Sequence, residues 1–121
     1  MQIFIIDTTG SVSSEQIEAG TRFAQKLIGK IDVATEITCL VHCGNFDSKT
    51  PRRFLLENLT NNFRSMDPEC VITYITDGFL TESQTAAVDN IYLFQDTGIN
   101  NYKPDYLTDK ICGMVSVPFG G

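Results

Sequence analysis

The sequence predicts an α/β domain: a single doubly wound, mainly parallel five-stranded sheet in the order 2-1-3-4-5, with helices on both faces. Three observations carry that expectation. Short apolar runs rich in branched and aromatic residues recur at residues 2–6, 36–42, 70–76, 91–95 and 112–117. The segments between them hold helix-start signals and apolar residues at helical spacing. The first run is nearly unbroken rather than alternating, the mark of a strand covered on both faces. Strands alternating with helices need crossover connections, and right-handed crossovers generate a parallel sheet.

Each element has its own warrant. Residues 2–6, Gln-Ile-Phe-Ile-Ile, form the first strand. Ser13 with Gln16 then reads as a capping box, the serine capping the helix and the glutamine reaching back. Ile17, Gly20, Ala24, Leu27 and Ile28 recur at helical spacing, with Glu15, Glu18, Arg22 and Lys26 outside, and Gly29 marks the end. Residues 36–42 are the second strand. Gly44-Asn45 and Asp47-Ser48 make a loop, and Thr50-Pro51 predicts a helix start, with the hydroxyl at the cap and proline at the first helical position. Leu56, Leu59 and Phe63 give that helix its buried stripe. Residues 70–76 are the third strand. Thr81 with Gln84 is a second capping box, opening a short helix through about Val88. Residues 91–95 form the fourth strand, a helical turn is expected near 106–111, and residues 112–117 form the fifth. Pro118-Phe119-Gly120-Gly121 stops it. No linker, repeat or low-complexity segment divides the chain, so residues 1–121 read as one domain with one sizeable core.

Charge narrows the function. The formal net charge is -6, with acids spread along the chain and no run of like charge. Binding to a phosphate backbone needs a basic patch, so nucleic acid is not an expected partner. A neutral, basic or metal-bridged partner fits better. No stretch is long enough to span a bilayer. The start, Met-Gln-Ile-Phe, lacks the basic n-region of a signal peptide, so a cytoplasmic location is expected. Four cysteines occur, Cys39, Cys43, Cys70 and Cys112, with no Cys-x-x-Cys pair. Cys39, His42 and Cys43 fall in one strand, where alternation puts His42 on the face opposite both cysteines. Zinc needs converging ligands, so reduced structural thiols are expected instead.

Two strand ends carry the chemistry. Asp7 closes the first strand and runs into Thr8-Thr9-Gly10-Ser11; Asp77 closes the third, in Ile75-Thr76-Asp77-Gly78. In the order 2-1-3-4-5 these strands are neighbours, and their carboxyl ends meet at the switch point where open α/β sheets bind ligands. Two adjacent carboxylates repel unless something neutralises them. A cation does so, and Thr9 and Ser11 supply further oxygens. An oxygen-only donor set suits magnesium, manganese or calcium rather than zinc.

Asp7-Thr8-Thr9-Gly10-Ser11 resembles the Asp-x-Ser-x-Ser motif that opens the metal-ion-dependent adhesion site of von Willebrand factor A-like (VWA-like) domains, with Thr9 in place of the usual serine. Residues 71–78 resemble the strand-ending Thr-Asp-Gly element of the same family, and Asp77 matches its acid. The chain resembles short bacterial and phage domains of this type, which also tend to end in a proline-aromatic-glycine stretch, as at Pro118-Phe119-Gly120. It is shorter than a typical member of the family, so the antiparallel edge strand that others carry between the second strand and second helix is not expected here. The resemblance implies a divalent cation, Mg2+ (or Mn2+ or Ca2+), held by Asp7, Thr9, Ser11, Asp77 and a middle threonine, for which Thr50 is best placed. It implies binding without catalysis, a protein partner's carboxylate completing the cation's coordination.

Plainer readings stand beside these. Asp7 also suits a turn cap, Thr50 a plain N-cap, and His42 a structural strand end. Tyr92, Phe94, Tyr102 and Tyr106 read as core and rim, with no basic ladder for base stacking. Thr8-Thr9-Gly10-Ser11 before a helix also resembles the phosphate loop of flavodoxins, which bind FMN on the same sheet order. There Asp7 would stand where a hydroxyl belongs, beside an anion it repels. A haloacid dehalogenase-like phosphotransferase would use Asp7 as nucleophile, but it wants a second acid two residues on, where Thr9 stands.

Overall fold

The computed structural model describes residues 1–9, 12–32, 34–44, 55–95 and 104–116. In chain order the elements are β1 (Gln2–Asp7), α1 (Ser14–Ile28), β2 (Thr38–Cys43), α2 (Leu56–Met66), β3 (Val71–Thr76), α3 (Glu82–Ala86), β4 (Asn90–Gln95), α4 (Asp105–Thr108) and β5 (Ile111–Ser116). The five strands form one sheet in the order β2-β1-β3-β4-β5, and every neighbouring pair is parallel. The expected fold class and strand order are therefore both present.

Alternation along each strand builds two apolar layers. On one face, Ile3 and Ile5 of β1, Ile72 and Tyr74 of β3, and Ile91 and Leu93 of β4 pack with Leu56 of α2 and Leu107 of α4. On the other, Phe4 and Ile6, Ile75, Phe94 and Val115 pack with Ala19 and Ala24 of α1. So α1 covers one face, and α2 and α4 lie on the other. Ile3, Ile5, Ile6, Ile72, Ile75 and Ile91 are fully buried, each worth about 1.5–3 kcal/mol relative to exposure. Gly20 lets α1 close on the sheet: a Cβ there would stand 2.9 Å from Phe94 Cε1 and 3.3 Å from Ile75 Cγ2.

Local sequence explains the helix starts. Ser13 Oγ accepts the Gln16 N–H at 3.2 Å, and Gln16 Oε1 accepts the Ser13 N–H at 2.9 Å. Thr81 and Gln84 repeat the exchange at 3.1 and 3.0 Å. Both expected capping boxes are formed. The start expected at Thr50-Pro51 lies outside the described residues. Leu55 is extended and makes no side-chain cap, so α2 begins at Leu56, held by its packing stripe rather than by a cap.

Other boundaries shift for visible reasons. The Glu36 N–H bonds to Asp32 O at 3.0 Å, drawing residue 36 into a turn, so β2 starts at Thr38. The Ile91 N–H bonds to Lys110 O at 3.0 Å, so the chain has joined the sheet by Lys110, and α4 ends at Thr108 rather than running to 111. The fifth strand thus begins at Ile111. α3 closes at Ala86, short of Val88. Tyr102 and the Pro118–Gly121 tail lie outside the described residues. Among the described residues, no helix is long and apolar enough to cross a membrane. All four cysteines are free; Cys43 and Cys70 are buried, and Cys112 is exposed. His42 is exposed and lies on the face opposite Cys39 and Cys43, as alternation requires.

Candidate functional site

Register brings the site together. Asp7 pairs with Cys43 on β2, and Ile6 pairs with Ile75 on β3, which sets Asp7 beside Thr76. All three side chains lie at the carboxyl edge, where the strand order reverses between β1 and β3.

Asp7 is 2% exposed. Its Oδ1 accepts the Thr9 N–H at 2.8 Å, an Asx turn that starts the reversal into α1. Its Oδ2 accepts the Thr76 hydroxyl at 2.6 Å. The same Thr76 oxygen lies 3.5 Å from Asp77 Oδ1 and accepts the Gly78 N–H at 3.3 Å. Asp7 and Asp77 are therefore within reach of one hydroxyl, and their nearest oxygens are no farther apart than those two contacts combined. Asp77 Oδ1 also accepts the Phe79 N–H at 3.3 Å. Gly78 has φ +97°, a left-handed conformation that side-chain-bearing residues adopt only with strain. The loop after it is tied down by Tyr106, whose hydroxyl donates to Leu80 O at 2.7 Å.

The turn after β1 is anchored on both sides. Thr8 donates its N–H, at 3.3 Å, and its hydroxyl to Cys43 O. Thr9 O accepts the Val12 N–H at 2.9 Å, and Val12 is buried under α1. The turn thus reverses the chain and also fixes Asp7. The plain reading of Asp7 as a turn cap is correct as far as it goes, but the Thr76 bond across to β3 lies beyond it.

A second polar pair is buried close by. Cys43 Sγ and Tyr74 Oη lie 3.1 Å apart. Burial pushes the Cys43 thiol up to about 11; the Tyr74 contact opposes this, and the Asp7 charge adds to it. Burial also raises the Tyr74 hydroxyl far above its ordinary value, with Cys43 and Asp7 contributing and Thr76 opposing. Both groups are neutral across the physiological range, and their mutual contact satisfies them within the core. Among the described residues, no buried side-chain nitrogen or oxygen lacks a hydrogen-bond partner.

Of the residues expected from sequence, Asp7 and Asp77 are brought together, and Thr9 joins them through its backbone N–H. Ser11 and Thr50 lie outside the described residues. Thr76 was not anticipated. Its signal was its place before Asp77, in register with Asp7 on the neighbouring strand. The donor set fits a hard cation: Asp7 is a buried acid, Asp77 is half-buried nearby, and among the described residues no cationic side chain pairs with Asp7. Among the described residues, no group of three or more His, Cys, Asp or Glu is placed to hold a metal; the candidate set has two acids and otherwise relies on hydroxyls. No family model, no curated protein and no solved structure matches the chain.

Proposed function

We propose that the chain is a non-catalytic, VWA-like protein-interaction module of the short bacterial or phage type, which holds a divalent cation at the carboxyl edge of its sheet. Asp7 and Asp77 would hold the cation, with Thr9, Ser11 and Thr50 as further oxygen donors. The observation that carries this reading is the shared Thr76 hydroxyl, which brings a buried acid and a half-buried acid together at the reversal of strand order. Magnesium is the first choice, with manganese and calcium as alternatives. The cation supplies a local positive charge on an acidic chain, which anchors a carboxylate from a protein partner. The described residues around the two acids offer no base or nucleophile placed for chemistry: the nearest thiol and phenol, Cys43 and Tyr74, are buried and held neutral. A cytoplasmic location belongs to the same reading, and the net charge of -6 argues against a nucleic-acid partner.

The flavodoxin-like alternative shares the strand order, but it puts the buried Asp7 carboxylate against a phosphate. A yellow purified protein supports it. Release of phosphate from an ester, lost in Asp7→Asn, supports the phosphotransferase alternative.

The test of the main reading is a pull-down from the native host, run with magnesium and again with a chelator. Partners should appear with magnesium and vanish with chelator, and vanish in Asp7→Ala and Ser11→Ala while the fold survives. The same partners in every arm would show that no cation bridges them.

A further inference from the structure

The Thr76 hydroxyl carries one hydrogen and stands between two carboxylates. It donates to Asp7 Oδ2 at 2.6 Å, while Asp77 Oδ1 lies 3.5 Å from the same oxygen. One hydrogen serves one acceptor well, and the short contact to Asp7 takes it. Asp7 Oδ1 is occupied by the Thr9 N–H at 2.8 Å. Each oxygen of Asp7 is thus held by its own donor, one from the turn after β1 and one from β3, and the plane of the carboxylate is fixed. The side chain has no room to swing: it is 2% exposed and sits in register between Cys43 and Thr76. Cys43 is in turn held by Tyr74 Oη at 3.1 Å.

We propose that Thr76, which need not ligate the cation itself, sets the cation preference of this site by holding Asp7 Oδ2 and so denying a large cation capture by both Asp7 oxygens. The inference rests on the metal-site reading above. Calcium takes roughly six to eight oxygens and often both oxygens of one carboxylate, whereas magnesium is smaller and keeps several waters. Two-oxygen capture draws on both Asp7 oxygens at once, so it competes with the Thr76 hydroxyl and the Thr9 N–H for a buried acceptor and weakens bonds that are costly to lose there. A smaller cation, or a water on it, needs only one of the lone pairs left over on Asp7, and both hydrogen bonds persist. Thr76 is therefore a positioning residue, acting through Asp7.

The experiment measures dissociation constants for magnesium, manganese and calcium by calorimetry on the parent chain, Thr76→Ser and Thr76→Val, with circular dichroism to establish folding. The parent should prefer magnesium and manganese to calcium. Thr76→Ser keeps the hydroxyl and should keep the preference. Thr76→Val keeps the shape but loses the donor, and should move the calcium-to-magnesium affinity ratio toward calcium by about tenfold or more. If the valine variant does not fold, Thr76→Ala is read in the same way. A parent that binds calcium as tightly as magnesium overturns the inference, as does a donor-less variant with the parent's ratio; the metal site itself survives either result. A parent that binds none of the three ions overturns the metal site and this inference together.

Discussion

Asp7 Oδ2 and Thr76 Oγ1 meet at 2.6 Å across 69 positions of sequence, joining the carboxyl ends of two strands that are neighbours only because the strand order reverses between them. The acceptor is a carboxylate and the contact is buried, so the bond belongs to the stronger class. Thr76→Val should destabilise the metal-free protein by about 1.5–3 kcal/mol, measured by urea unfolding in chelator. Thr76→Ser should recover most of the loss. A valine variant as stable as the parent would mean that the Asp7 carboxylate finds another donor.

Divalent cations should stabilise the protein. A cation that binds only the folded chain adds about 2.7 kcal/mol at a hundredfold excess over its dissociation constant. Magnesium or manganese should therefore raise the melting temperature in a concentration-dependent way, and Asp7→Ala should abolish the response. A melting curve indifferent to millimolar magnesium, manganese and calcium would remove the basis for the proposed site.

Alkaline pH should weaken the fold through two buried groups, Cys43 and Tyr74. The Cys43 thiol ionises at its ordinary 9.0 when unfolded but only near about 11 when folded. Between those values the folded state holds the proton more tightly than the unfolded state does, so stability is fully present below pH 9 and falls as pH rises toward 11. The loss from this group is on the order of 2–3 kcal/mol. Tyr74 adds a further decline above its ordinary 10.0, because its folded value is raised. Urea midpoints measured between pH 8 and 11 should show the fall. Cys43→Ala should remove the component that begins near pH 9, although the substitution also leaves a small cavity.

Gly78→Ala tests the loop that carries Asp77. A Cβ at Gly78 meets only Leu93 Cδ2, at an ordinary 3.5 Å, so the cost is that of the backbone at φ +97°. A loss of about 1–2 kcal/mol is expected. If the loop relaxes instead, stability should hold while cation affinity falls, because Asp77 and the Phe79 N–H would part.

The sequence made the two acids legible because each ends an apolar run, and a parallel doubly wound sheet places the ends of its first and third strands together. Thr76 was not legible. It is a polar residue inside an apolar strand, and its function depends on the Ile6–Ile75 register, which periodicity alone does not reveal. Ser13 with Gln16 and Thr81 with Gln84 were readable because a capping box is a local exchange between residues three apart. The start of α2 has no such local signal: Leu55 has no cap, and burial of Leu56 with the Leu59 and Phe63 stripe decides where the helix begins, while Thr50-Pro51 lies outside the described residues. The Cys43–Tyr74 contact joins residues on β2 and β3 across β1, so no local pattern announces it.

The central place of β1 has a consequence for synthesis. β1 takes β2 on one side and β3 on the other, so its second edge has no partner until residues 71–76 have been made. A nascent chain ending after β2 would present Ile3, Ile5 and an open row of backbone donors and acceptors, a template for misassembly with other chains. Arrival of β3 closes that edge and, in the same event, sets Thr76 and Asp77 against Asp7. Closure of β1 and creation of the site are therefore one event, while the outer edge of β3 still waits for β4, and β4 for β5.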